Sequence, residues 1–326
     1  MAPRILVAGG AGFIGAATTA HLLARGDEVV VLDNLSTGHA DAIPAGATLI
    51  EASIGDRAAV ASLLSSFKPD ACIDFAGLIA TGESMEQPGR YFATNVGETL
   101  VFLDALIAAG VEKFVFSSSA AVYGEPQFLP IPETHRTAPT SVYGATKLHI
   151  EEALSWMARQ GTLQYAALRY FNAAGGSPQA IERHAVETHL IPLALAAAAG
   201  DAPTLRLFGD DYPTPDGTCI RDYVHVEDLA TAHLAALAAL DRGTKELVVN
   251  LGSGKGFSNK EVLEGIERVT GLPVPVVVAA RRAGDPAVLV ASNELAREVL
   301  GWVPVKSALD QLLGDAWAAY RVLNHG

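Results

Sequence analysis

Tyr143 and Lys147 stand four residues apart in the run SVYGATK (141–147), so on a helix both side chains lie on one face. A free tyrosine is only about 0.1% phenolate at neutral pH, a deficit of roughly 4 kcal/mol. An adjacent ammonium favours the anion. The phenol then becomes a general base that can take a hydroxyl proton while hydride leaves the same carbon. Ser117, Ser118 and Ser119 close an apolar run upstream, and a serine hydroxyl there can bond the same substrate oxygen and relay its proton. A surface Tyr/Lys pair near a serine-rich loop has the same letters, so the pair alone is weak. Its weight comes from its place in the helix after that strand, because parallel sheets bind ligands at their carboxyl edge.

A second group of residues suits a nucleotide. Gly9, Gly12 and Gly15 follow the first strand and open a helix. Glycine permits the tight turn, lets backbone approach a pyrophosphate, and allows close packing of helix on strand. Asp33 ends the next strand, 18 residues after Gly15. A carboxylate there can accept hydrogen bonds from an adenosine ribose and repels a 2′-phosphate, which favours NAD over NADP. The glycine spacing G-x-x-G-x-x-G, in place of G-x-G-x-x-G, resembles that of the short-chain dehydrogenase/reductase superfamily.

Short β-branched runs at 4–8, 28–33, 48–51, 71–76, 113–118 and 165–171 alternate with helical patterns at 13–25, 56–67, 95–109 and 141–160. That alternation predicts an α/β fold, a doubly wound parallel sheet (Rossmann) with helices on both faces. The rhythm changes after Asn172: a loop at 175–178, an apolar helix at 188–199, a loop-rich stretch at 208–218, then a segment that starts extended and turns helical with Asp228 in its first turn. The expected division is a dinucleotide-binding domain over 1–175 and a smaller substrate domain over 176–326, with the chain returning to the first around 222–252.

The 326 residues carry 23 Lys+Arg against 36 Asp+Glu, a formal charge of −13, and are 50% apolar. The apolar content excludes disorder, and the acidity argues against nucleic acid as a partner. An anionic ligand must then be held by local arginines and helix N-termini. Two cysteines, Cys72 and Cys219, cannot form a disulfide framework or a four-ligand metal site, so reduced thiols and no metal are expected. The glycines of the N-terminal run punctuate a strand–turn–helix and not a signal peptide. The apolar stretch 190–199 is too short to span a bilayer and contains Pro192. A soluble, cytoplasmic protein without a membrane partner is the expectation.

Together, VAGGAGFIG, VVLDNLSTG, FAGLIATGES, FSSSAAVYGE, SVYGATKLHIEE, LRYFNAAG, ETHLIPL, FGDDYPTPDGTCIRDYVHVEDLA and RRAGDP resemble the UDP-glucose 4-epimerase family of the extended short-chain dehydrogenases over essentially the whole chain. The stretch from Gly209 to Ala230 is the most specific part of the likeness. The resemblance implies an NAD-dependent isomerase that interconverts UDP-galactose and UDP-glucose by reversible hydride transfer at sugar C4, and a homodimer. Tyr143 is then the base, Lys147 its pKa modulator and a ribose ligand, and Ser119 the hydroxyl relay. The implied NAD contacts are Gly9, Gly12, Phe13, Ile14, Asp33, Asn34, Ser53, Ile54, Phe75, Ala76, Gly77, Asn95, Ser117, Tyr170 and Phe171, with Tyr143 and Lys147. The UDP-sugar falls to Ser119, Tyr143, Asn172, His189, Leu190, Phe208, Arg221, Tyr223, Arg282, Asp285 and Leu289. Of these, Arg221 and Arg282 are the diphosphate clamps, since guanidinium forks match phosphate oxygens.

The chain departs from the family pattern in places. Ala8 replaces a threonine and Asp74 a histidine; Ser53 replaces an aspartate that faces the adenine amino group. Ile79 and His189 stand where some relatives have lysine and asparagine. Ala120 and Ala121 occupy the positions where related dehydratases carry Asp-Glu, and alanine cannot transfer protons. Leu289 falls at a pocket-wall position where bulk limits N-acetylated sugars, so partial acceptance of UDP-N-acetylhexosamines is expected. The alternatives are an epimerase of another UDP-sugar, such as a pentose or uronate; a nucleotide-sugar dehydratase or decarboxylase, which the alanines oppose; and a non-catalytic NAD sensor, which the intact Tyr/Lys pair opposes.

Overall fold

A computed structural model of the chain describes residues 2–184, 186–281 and 285–325. Its strands are β1 (Arg4–Ala8), β2 (Glu28–Asp33), β3 (Thr48–Glu51), β4 (Ala71–Asp74), β5 (Lys113–Ser119), β6 (Gln164–Tyr170), β7 (Asn172–Ala174), β8 (Leu205–Phe208), β9 (Ile220–His225), β10 (Glu246–Leu251), β11 (Gly256–Ser258), β12 (Val276–Ala279) and β13 (Val288–Leu289). Seven of them form one sheet in the order β10-β6-β5-β4-β1-β2-β3, and every neighbouring pair is parallel.

Apart from the half-exposed edge strand β3, the sheet is buried on both faces, which is why its strands read as near-continuous apolar runs. Ile5, Val7, Ile73 and Val115 face the helices Phe13–Arg25 and Val226–Asp241. Leu6, Cys72, Phe114 and Phe116 face Arg57–Phe67, Pro88–Ala108 and Val142–Arg159. The strand order reverses between β1 and β4, and that reversal opens a crevice at the carboxyl edge.

The helix expected at 95–109 begins earlier, because Pro88 sits at its first position, where no N–H donor is needed. It runs Pro88–Ala108 and widens to a π-turn over Phe92–Glu98, a distortion frequent at functional sites. By length and composition it could cross a membrane, but Phe102, Leu103 and Leu106 are fully buried against the sheet.

After β6 the chain leaves the main sheet and builds a lobe around the helices Leu190–Ala199, Asn259–Thr270 and Leu309–His325. Small sheets β11-β9-β13, with β7 also on β9, and β12-β8 complete it. Between these pieces the chain comes back to the main sheet, where β10 pairs with β6 along its whole length.

Candidate active site

The glycine turn is built by close approach. Gly9 has φ +70°, and a Cβ on it would lie 2.6 Å from the backbone nitrogen of Ala76, in the loop after β4. A Cβ on Gly15 would lie 2.3 Å from the carbonyl of Gly9. Only glycine lets the turn, that loop and the following helix meet this tightly. Gly12 caps the helix and makes no side-chain hydrogen bond to its first N–H groups, and Gly12, Phe13 and Ile14 line the crevice, as an anion-binding helix N-terminus requires. Asp33, 9% exposed, accepts hydrogen bonds from the N–H of Ala11 (2.9 Å) and of Leu35 (2.8 Å). Its carboxylate therefore holds the glycine turn as well as lining the cavity.

That cavity, about 1330 Å³, runs from the glycine turn past Asn34, Ser53 and Ile54 at one end to Tyr143, Phe171 and Leu289 at the other. A neighbouring cavity of about 470 Å³ adds Leu190, Phe208 and Tyr223, and the two share Asn172, His189, Arg221 and Asp285. The glycine cradle, the free helix N-terminus and the carboxylate at the end of β2 fit an adenine dinucleotide. The joined cavities have room for a second nucleotide beside it.

The reacting groups stand where the helix Val142–Arg159 crosses the end of β5. A Cβ on Gly144 would lie 2.4 Å from the carbonyl of Ala121, so glycine is what allows the helix to descend onto the strand end. Ser141 caps the helix through the Gly144 N–H (3.1 Å), and buried Ser84 accepts from the Tyr143 N–H (3.1 Å). Ser119 accepts from the N–H of Ala121 (3.1 Å) and hydrogen-bonds the Tyr143 phenol. Lys147, 3% exposed, donates from Nζ to the Ser117 carbonyl (2.8 Å) and lies 4.9 Å from the Phe116 ring centre and 5.9 Å from that of Tyr143.

Burial pushes the Tyr143 phenol above its usual value, against the Ser119 hydrogen bond. The lowering expected from the sequence is thus not produced by the protein alone. Lys147 is itself pulled down to about 8 by burial, against the carboxylates of Asp74 and Glu151. Desolvation outweighs pairing for both groups.

Asp74 is 1% exposed at the end of β4, in register with Phe116. One carboxylate oxygen accepts from the Ala76 N–H (2.9 Å), and the other is buried without a hydrogen-bond partner. Burial lifts this carboxyl to about 6, against Lys147. Beneath Lys147 a closed polar network links Ser118, Glu151, Arg169, Tyr123 and Asn250.

The other residues singled out from the sequence divide into two groups. Phe13, Ile14, Phe75, Ala76, Gly77, Ser117 and Tyr170 line the large cavity. Asn95 does not: its amide accepts from the Leu78 N–H (2.8 Å) and donates to Leu78 O (2.9 Å) and Thr146 Oγ1 (3.2 Å). It pins the loop after β4 to the helix of Tyr143. Arg221 donates to Asp285 (2.9 Å) and to its neighbour's carbonyl, so the two expected UDP ligands here pair with each other. Arg282 lies outside the described residues.

Sequence reasoning missed Glu98. The π-turn swings its carboxylate onto Ser53, whose hydroxyl donates to it, at the glycine-turn end of the cavity. A carboxylate thus reaches position 53 from another element, and no local signal announces that. Gly144 was equally unmarked.

The NAD dependent epimerase/dehydratase family model matches residues 5–252. A UDP-glucose 4-epimerase from Corynebacterium glutamicum is 48% identical over 315 residues, 97% of this chain and 95% of that one. The crystal structure of UDP-glucose 4-epimerase from Brucella ovis in complex with NAD superposes with a TM-score of 0.95 at 46% identity, covering 98% of both chains. That of the Bifidobacterium longum enzyme with NAD+ and UDP does so with a TM-score of 0.92 at 34% identity, covering 99% of both.

Proposed function

Since the chain belongs to the NAD dependent epimerase/dehydratase family, we propose that it interconverts UDP-galactose and UDP-glucose through oxidation and re-reduction at sugar C4. The observation that carries this is the Ser119–Tyr143–Lys147 set, whose Ser119 and Tyr143 line a dinucleotide-sized cavity that joins a second, UDP-sized one through Asn172, Arg221 and Asp285. NAD, when bound, supplies the hydride acceptor and a positive ring charge.

The chain's own residues do the rest. Tyr143 takes the 4-hydroxyl proton and later returns it, and Ser119 holds the same oxygen. Lys147, tied to the Ser117 carbonyl, holds positive charge beside the phenol. Gly9, Gly12 and the helix they open cradle the pyrophosphate, and Asp33 bounds the ribose. Arg221 exchanges Asp285 for the substrate diphosphate. With UDP anchored by Arg221, Tyr223, Phe208 and Leu190, the keto sugar can turn and present its other face. Positioning and exclusion of water are thus the protein's contribution. Ala120 and Ala121 line the same cavity and carry no proton, which favours simple oxidation and return over dehydration.

The same reading assigns residues 1–175 and the returning segment around β10 to cofactor binding, and the remainder to the sugar nucleotide. It also makes the protein a cytoplasmic homodimer. Buried Cys72 and Cys219 support a reducing compartment. The largely uncovered outer faces of helices Pro88–Ala108 and Val142–Arg159, with Phe92 and Trp156 exposed, support self-association.

The deciding experiment incubates the purified protein separately with UDP-galactose, UDP-xylose and UDP-glucuronate and resolves the products by chromatography, alongside Tyr143→Phe. Conversion of UDP-galactose, lost in the variant, is expected. A higher kcat/KM on the pentose or the uronate would overturn the substrate assignment.

A further inference from the structure

We propose that Glu182, His184, Glu187 and His189 form a binding site for one divalent transition-metal ion at the rim of the sugar cavity. The four belong to the strap that leads into the helix Leu190–Ala199, spaced as E-x-H-x-x-E-x-H. One potential ligand atom from each lies within 4.8 Å of all the others.

The charges explain why a cation belongs there. Two carboxylates converge on one imidazole nitrogen: His189 Nδ1 is 2.7 Å from Glu187 Oε1 and 3.2 Å from Glu182 Oε1. That nitrogen can direct a proton to only one of them. Glu182 has a side chain just 9% exposed, and its ion-pair partners among the described residues are imidazoles alone, His189 and His184 (3.7 Å). Two carboxylates and two imidazoles thus present four metal-ligating groups at one part-buried point.

The distances suit a metal. Nitrogen and oxygen donors about 2.1 Å from a tetrahedral centre stand roughly 3.4 Å apart, and three of the separations within the cluster, 2.7, 3.2 and 3.7 Å, bracket that value. Glu187 is held in place by the N–H groups of Thr188 (2.7 Å) and His189 (2.8 Å). Two imidazoles with two carboxylates select zinc, cobalt or nickel over magnesium or calcium.

Occupancy would tighten the strap. On its other side Arg183 pairs with Asp41, and its carbonyl meets the ring of His39 at 3.1 Å. These contacts already tie the strap to the loop that follows β2.

The test is titration of Zn2+ into tag-free, NAD-loaded protein by calorimetry, with Co2+ absorption as the spectroscopic signature of nitrogen and oxygen ligation. One ion per chain is expected, undisturbed by excess Mg2+, with affinity at least about tenfold weaker in Glu182→Gln and weaker still in His184→Ala. Bound NAD and the thermal midpoint report whether each variant has folded. The near-isosteric Glu182→Gln carries the test if His184→Ala does not fold. Absence of saturable binding, or binding of equal strength in the folded variants, overturns the proposal.

Discussion

The Nζ of Lys147 lies 2.8 Å from the Ser117 carbonyl oxygen, which anchors its charge at the end of β5 and 5.9 Å from the Tyr143 ring centre. The lysine is therefore placed by backbone and does not depend on substrate for its position. Lys147→Met should leave the fold intact and lower kcat about 100-fold or more, with a smaller change in KM. Steady-state kinetics with UDP-galactose measures this; a rise in KM alone would show that the lysine only binds.

Asp74 ties the site to pH. Lys147, at about 8, keeps its ammonium below that value and loses it as pH rises. Alkaline pH should therefore cost activity by removing the charge that favours the phenolate. The Asp74 carboxylate raises the lysine's pKa, so Asp74→Asn should lower it and move the alkaline limb of kcat to lower pH. A pH–rate profile with an unmoved limb would remove Asp74 from this role.

The network under the site supports stability. Arg169, 6% exposed, makes two hydrogen bonds to Glu151, 5% exposed, and a third to Tyr123 (2.8 Å). Glu151→Ala strands a buried guanidinium and should cost about 3–5 kcal/mol in denaturant unfolding. The double change Glu151→Ala with Arg169→Met should recover part of that loss, because no charge is left unpaired.

Glu98 sits with Ser53 at the glycine-turn end of the cavity. Acting as the acceptor for the adenine amino group, its carboxylate should be worth about 1.5–3 kcal/mol to cofactor retention. Glu98→Ala should accordingly lower the NAD carried per chain through gel filtration, read from the absorbance released on denaturation. Full retention in a folded variant would leave Glu98 a purely structural partner of Ser53.

Leu289 lines the cavity opposite the glycine turn and pairs in β13 with Arg221 of β9. Leu289→Tyr adds bulk to that wall and should reduce kcat/KM for UDP-N-acetylgalactosamine more than for UDP-galactose. An equal effect on both sugars would mean that the residue does not face the acetyl group.

Much of this was legible along the chain. The runs at 4–8, 28–33 and 48–51 match β1, β2 and β3 residue for residue; β1 and β2 are legible because strands buried on both faces must be continuously apolar, and the half-exposed edge strand β3 by its short Leu49–Ile50 core. The glycine turn, Asp33, and the Tyr143/Lys147 pair were readable for a related reason: each is a local pattern that takes its meaning from its place between a strand and a helix.

What the sequence by itself determined was the alternation of elements, the nucleotide-binding turn and the types of the reacting groups. Only the tertiary structure decided how they are tuned and supported. The expected lowering of the Tyr143 pKa fails in the protein alone because desolvation depends on everything packed around the phenol. Glu98 reaches Ser53 only through a π-turn 45 residues away, and Gly144 matters only because Ala121 lies against it. Asn95 and Arg221 spend their polar groups on Leu78 and Asp285, contacts set by approach in space. Close approach and loss of water are properties of the packed molecule, and no window of neighbouring residues contains them.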